Sequence, residues 1–343
     1  MREKARRFTL TDYLGLTLLT LMTLLLCLSV GSVALPLGET MKTLVGAILG
    51  RPADPGTAAT IILSLRLPRV LSVALVGAAL SLAGAAMQGL LRNPLADGST
   101  LGVSSGASLG AVLALALGVT LPGLPQLGTM GMAMLFAFLS LALILSLAWK
   151  IDASLATNTI ILIGIIFSMF AGSIISLMIA FSGEKLRSIT FWTMGSLSGT
   201  GYTQALTLVI ALLLCAPPLL LSSRELDAFS IGEDNAHTIG VNVRGVKLRV
   251  LITVSVLIGV CVSIGGTIGF VGLVTPHMTR LVVGPAHPRL LPASLFAGAV
   301  FLMLADLLAR TVASPIELPL GVVTSFIGAI LFVLIFFRTR RAR

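Results

Sequence analysis

Apolar residues along this chain come in long uninterrupted runs, without the alternation of a half-buried strand or the three-to-four spacing of a surface helix. The run from Val70 to Leu91 has 22 residues and no charge, enough to cross a hydrocarbon core of about 30 Å at about 1.5 Å of rise per residue. Runs of this kind predict ten spans, at about 12–34, 68–91, 99–119, 128–149, 155–181, 202–222, 248–265, 267–283, 291–310 and 317–337. The seventh and eighth are separated only by the break at Gly265, Gly266 and Gly269. Between the second and third, Arg92, Asn93 and Pro94 form a polar corner, because Pro94 lacks a backbone donor and disfavours helical geometry at Asn93. Gly102, Gly106 and Gly110 then recur at every fourth position, the spacing that lets two helix backbones approach inside lipid. Helix packing is the first reading of that row and contact with a transported molecule the second; Asn93, Ser104, Ser105 and Gly106 are the candidates for either role.

Two segments are too polar to cross and too apolar to be plain loops. Residues 36–65 carry Met41, Leu44, Val45, Ile48 and Leu49 at helical spacing, and residues 186–200 carry Ile189, Phe191, Trp192 and Met194. Both predict short helices at the outer interface, with Trp192 as an anchor there or, alternatively, lining a pathway.

Composition sharpens the class. Of 343 residues 56% are apolar and 10% charged, with mean hydropathy +1.06, against roughly 25% charged in a soluble domain. Water is therefore not the main solvent. Cys27, Cys215 and Cys261 stand singly in apolar runs, which fits buried small hydrophobes better than disulfides or a metal cluster. The first apolar run exceeds signal-peptide length, so it reads as a retained helix.

Charge then sets the topology. Both ends are basic (Arg2, Lys4, Arg6, Arg7; Arg338, Arg340, Arg341, Arg343), and the positive-inside rule places both in the cytoplasm, which demands an even number of spans. Ten spans put 16 of the 23 Lys and Arg residues inside and seven outside; nine would leave a basic terminus outside. The net charge of +10 thus reports topology and attraction to anionic lipid, and predicts no nucleic-acid partner.

The longest inner loop, residues 222–249, is mixed in sign. Asp234 to Ile239 predicts a short helix ended by Gly240 in a left-handed cap.

Taken together, these stretches are similar to the FecCD-type permeases, the type II ATP-binding cassette (ABC) importers of cobalamin, haem and ferric siderophores. The matching residues run in order through the chain: Arg66 to Arg69, Gln88 to Asp97, Leu101 to Ala107, Ala236 to Val241, Gly269 to His277 with Arg280, Ala305 and Asp306 with Arg310, and Glu317 to Gly321. Gly98 and Ile330 stand where the family commonly has prolines. The resemblance implies one all-α transmembrane unit over residues 1–343 with about ten helices, the second to fifth and seventh to tenth related as inverted repeats. It further implies a homodimer, a pathway contributed by the third, fifth and tenth helices, two cytoplasmic ATP-binding subunits and an extracytoplasmic binding protein. Residues 222–249 become the coupling loop, with Asp234, Ala236, Ile239, Gly240 and Val241 seated on the ATPase. Arg66, Arg69 and Arg310, expected at the outer face, become binding-protein docking residues, with snorkelling to lipid headgroups as the alternative.

No phosphate-binding G-x-x-x-x-G-K-[ST] loop is present, so ATP and its magnesium are expected on a separate polypeptide and no cofactor on this one. His237, His277 and His287 lack the spacing of a metal site; His277 reads as a structural or interfacial group. Asp306 is the one acid deep in an apolar run, four residues before Arg310. An intramembrane carboxylate is also what an ion-coupled secondary transporter needs, and that is the rival function. The cargo is expected to be a bulky metal chelate, an iron–siderophore first, otherwise haem or cobalamin.

Overall fold

The computed structural model describes residues 8–31, 33, 35–50, 56–119, 125–153 and 155–341, and every regular element among them is helical. Arg2, Lys4, Arg6, Arg7, Arg51 and Arg343 lie outside the described residues. In chain order the helices are α1 (Leu10–Ser29), α2 (Leu37–Ile48), and α3 (Thr57–Thr60), which passes through a π turn at Ile61–Arg66 into α4 (Leu67–Leu90). Then come α5 (Val103–Leu117), α6 (Pro125–Ile151), α7 (Thr157–Phe181), α8 (Leu186–Thr193) and α9 (Tyr202–Leu221). The rest are α10 (Ser223–Phe229), α11 (Glu233–Thr238), α12 (Val243–Gly265), α13 (Val271–Val283), α14 (His287–Thr311) and α15 (Leu320–Arg341).

Seven stretches are long and apolar enough to cross a membrane: α1, α3 with α4, α6, α7, α9, α12 and α14. Helices α5, α13 and α15 bring the bundle to the ten expected. With 15 and 13 residues, α5 and α13 reach only roughly 20 Å each, and irregular chain supplies the remainder. A 3-10 turn at Gly98–Leu101 precedes α5, and the non-helical stretch 266–270 precedes α13. Both helices start from a residue in the left-handed region, Gly102 at φ 71° and Phe270 at φ 66°.

That shared break is one sign of a repeated architecture. The packing of α4 on α14 is matched by α12 on α6, α5 on α6 by α13 on α14, and α4 on α13 by α12 on α5. Helix α9 stands between the halves against α4 and α12, while α1 lies outside them on α14.

Glycine makes the closest crossings possible. A Cβ on Gly77 of α4 would collide with the carbonyl of Gly298 in α14, and the reverse holds too. In the matching pair, a Cβ on Gly259 of α12 would sit 3.1 Å from Ala137 of α6. Gly106 and Gly110 of α5 press on Ser140, Phe136 and Met132 of α6, so the glycine row is a packing seam. Short helices are present in both segments, as α2 and α8, although the later part of 36–65 also continues as helix into α4.

Candidate functional site

At the end expected to lie outside, the arginines expected to face outward are turned into the protein. Arg66 and Arg310 are only 7% and 5% exposed. Helix α1 explains why, since its last carbonyls have no partner within the helix. Arg66 Nη1 donates to Leu28 O at 2.7 Å and Ser29 O at 3.2 Å, and its Nη2 donates to Val33 O. Arg310 Nη2 donates to Cys27 O at 3.2 Å, placing two cations where the helix dipole is negative. Asp306, 1% exposed, holds the charges together: its Oδ1 takes Arg69 Nη2 at 2.9 Å and its Oδ2 takes Arg310 Nε at 2.9 Å. Arg69 also pairs with Glu317 at 2.9 Å, and Glu317 is the half-exposed member of the cluster. The outward-facing geometry expected of Arg66, Arg69 and Arg310 is thus corrected. Single-span reasoning missed carbonyl partners that only tertiary packing supplies.

Between the halves lie two cavities. The outer one, about 500 Å³, is walled by Trp192, Ser196, Gln204, Ser263 and Glu317 among others. The deeper one, about 340 Å³, is lined by Ser104, Ser105 and Ser108 of α5, Ser168 of α7 and the break at Thr267 to Phe270. A knot of backbone separates them: Ser196 N–H donates to Gly265 O at 2.8 Å, Gly321 N–H to Gly195 O at 3.3 Å, and the Thr267 hydroxyl to Thr193 O. Trp192 therefore walls a cavity instead of only anchoring an interface. Ser104 and Ser105 face the deeper cavity, Gly106 faces α6, and Asn93 does neither. Asn93 holds the polar corner, its side-chain oxygen accepting Leu95 N–H at 2.9 Å.

At the opposite end, expected to lie inside, residues 222–249 fold into α10, α11 and the start of α12. Helix α11 closes as the sequence predicts. Val241 N–H bonds Ala236 O and Gly240 N–H bonds His237 O, with Gly240 at φ 92°, the two bonds of a Schellman cap. Asp234, Ile239 and Gly240 are exposed and Val241 partly so. Ala236 is not: it is 0% exposed and packs inside the chain, so an ATPase seat on its side chain is corrected. Only the face beside it is free.

Lys247 is the residue that sequence reading missed. At the start of a span a lysine reads as a topology marker, yet this one is 1% exposed. Its Nζ donates to Glu233 Oε2 at 2.7 Å and to Leu155 O at 3.0 Å, while Glu233 Oε1 accepts the Thr157 hydroxyl at 2.9 Å. A second tie joins Asp227 of α10 to His287 of α14, whose backbone N–H and Nδ1 lie 2.9 and 2.7 Å from Asp227 Oδ1. A third histidine, His277, sits beside Phe332 of α15. Among the described residues no group of three or more His, Cys, Asp or Glu could hold a metal.

The profile of the FecCD transport family matches residues 19–338. The chain is 44% identical over 322 residues to the uncharacterized ABC transporter permease protein YvrB of Bacillus subtilis (strain 168), covering 93% of this chain and 91% of the other. It is 40% identical over 286 residues to the hemin transport system permease protein HmuU of Yersinia pestis, covering 82% and 84%. Among solved structures, an inward-facing ABC transporter of metal-chelate type superposes with a TM-score of 0.83 at 34% identity, covering 95% of this chain and 98% of that one.

Proposed function

The chain belongs to the FecCD transport family, and from that premise we propose that it carries a bulky metal chelate, an iron–siderophore first and otherwise haem or cobalamin, into the cytoplasm. The coarser statement needs no proposal: this is a multi-pass permease subunit of an ABC importer, and the ATPase activity belongs to a separate subunit. The observation that carries the finer reading is the near full-length match to a metal-chelate type transporter, joined by a relative named for hemin transport.

On this reading two copies assemble about a shared pathway. The wide apolar faces of α7 (Leu162, Ile166, Met169, Phe170) and α15 (Phe326, Val333, Leu334), exposed in the single chain, support that pairing. Ser104 and Ser105 give the pathway weakly polar walls suited to passing a chelate without retaining it. Asp234, Ile239, Gly240 and Val241 meet one of two cytoplasmic subunits, which supply ATP and magnesium. Both termini are cytoplasmic, in a prokaryotic inner membrane. The binding protein docks on the outer face over Arg66, Arg69 and Arg310; with the first and last buried, Glu317 and the rim of the outer cavity are the groups that reach it. The ion-coupled alternative has no support in the relatives' names, and its carboxylate, Asp306, is already paired with two arginines.

Reconstitution in liposomes with the ATP-binding subunit and the binding protein tests the reading. Uptake of a ferric siderophore, hemin or cyanocobalamin should require internal ATP and persist when a protonophore collapses the proton gradient. Uptake of molybdate with none of the three chelates would overturn the chelate assignment, and loss of uptake with the proton gradient would overturn ATP coupling.

A further inference from the structure

The inner segment is seated in the bundle mainly through α10, whose Leu226 and Phe229 are fully buried, while α11 meets the bundle at fewer points. Helix α11 has six residues, too few to hold its own shape, so any force on it must pass through the groups it buries. Those are Ala236, which is 0% exposed, and in part the carboxylate of Glu233, whose side chain is 26% exposed; the packing of α11 on α10 is the other route. Glu233 meets two different helices at once: Lys247 in the second turn of α12, and Thr157, the first residue of α7. Lys247 adds a third attachment at the carbonyl of Leu155, whose φ of 52° places the chain turn between α6 and α7 directly over the ammonium. A buried ammonium stripped of its carboxylate would be left uncompensated, so the pair resists opening while its surroundings move. The carboxylate also lies at the N-terminus of α7, where a negative charge is favoured. The other ties of this region reach elsewhere. Asp227 and His287 join α10 to α14, and Arg249 with Glu225, 3.8 Å apart, is largely exposed.

We propose that the Lys247–Glu233 ion pair is the link that makes α11, α12 and α7 move as one body, so that movement imposed on the inner segment reaches the exposed face of α7. The inference rests on the permease reading above. Lys247 and Glu233 are positioning residues, touching neither cargo nor nucleotide. Their loss should separate ATP hydrolysis from helix movement, an effect distinct from a plain loss of stability.

The test uses the full chain assembled with its ATP-binding subunits in lipid nanodiscs, carrying Met169→Cys on the face of α7 that is exposed in the single chain and, on the reading above, turned to the second copy and the shared pathway. The rate of maleimide labelling at that position is compared without nucleotide and in the ATP–vanadate state. The parent should label at clearly different rates in the two states. With Lys247→Met or Glu233→Gln, ATP hydrolysis should continue while the labelling rate becomes the same in both, and Lys247→Arg should restore the difference. If Lys247→Met does not assemble, Glu233→Gln, which keeps the side chain's size, decides. An undiminished difference in the Glu233→Gln complex would overturn the link. A parent complex that hydrolyses no ATP would instead overturn the permease reading, and the link with it.

Discussion

Asp306 offers two oxygens to the outer cluster, and both are taken, one by Arg69 and the other by Arg310. Replacing it with Asn keeps the shape but leaves the buried Arg310 and the partly buried Arg69 facing a neutral amide. Breaking a buried pair in this way costs about 3–5 kcal/mol, which should appear as a large drop in the thermal unfolding temperature in detergent. The glycines of α5 supply a second residue-scale expectation. Gly106→Leu drives a side chain into Ser140 and the Phe136 carbonyl, and overpacking of this kind costs about 1–3 kcal/mol. Gly131 of α6 has open space around it, so Gly131→Ala should be neutral or stabilising by up to about 1 kcal/mol through helix propensity. Equal unfolding temperatures for the Gly106→Leu and Gly131→Ala proteins would contradict the α5–α6 seam.

The pair α10 and α11 shows how an element too short to fold alone is kept in shape from both ends. Its glycine cap was legible because only a left-handed residue closes a Schellman turn, and Gly240 follows the last helical positions directly. Its inner face was not legible, since Ala236 and Lys247 sit in a polar stretch that reads as solvated throughout. The distinction makes a testable contrast. Ile239, 64% exposed, should tolerate Ile239→Asp within about 0.5 kcal/mol of stability while losing co-purification with the ATP-binding subunit. Ala236→Glu should damage the segment itself by burying an unpaired charge, read as faster proteolysis between α9 and α12 even without the partner. If Ala236→Glu proves as protease-resistant as the parent, the inward placement of Ala236 is wrong.

At the scale of the whole molecule, the spans were readable because lipid leaves no partner for backbone groups outside a helix, so each crossing must announce itself as a long apolar run. The repeat was readable only through the family resemblance and not in the residues themselves, because it is kept as packing: α4 on α14 against α12 on α6, and left-handed starts at Gly102 and Phe270, with different residues filling equivalent roles. The outer arginines misled for a related reason. Hydropathy treats each span as alone in lipid, whereas Arg310 finds its carbonyl 283 residues back along the chain. That separation imposes an order on biogenesis. Helix α1 is synthesised before either of the groups that close its last turn; Arg66 follows Leu28 by 38 residues, and Arg310 arrives only with α14. Until then α1 has only Arg66 and its lighter packing on α2 and α4, without the larger surface that α14 provides. A photocrosslinker on Cys27 should therefore report lipid in chains arrested before α14 and protein in the finished subunit, so that the first helix made is among the last to be locked.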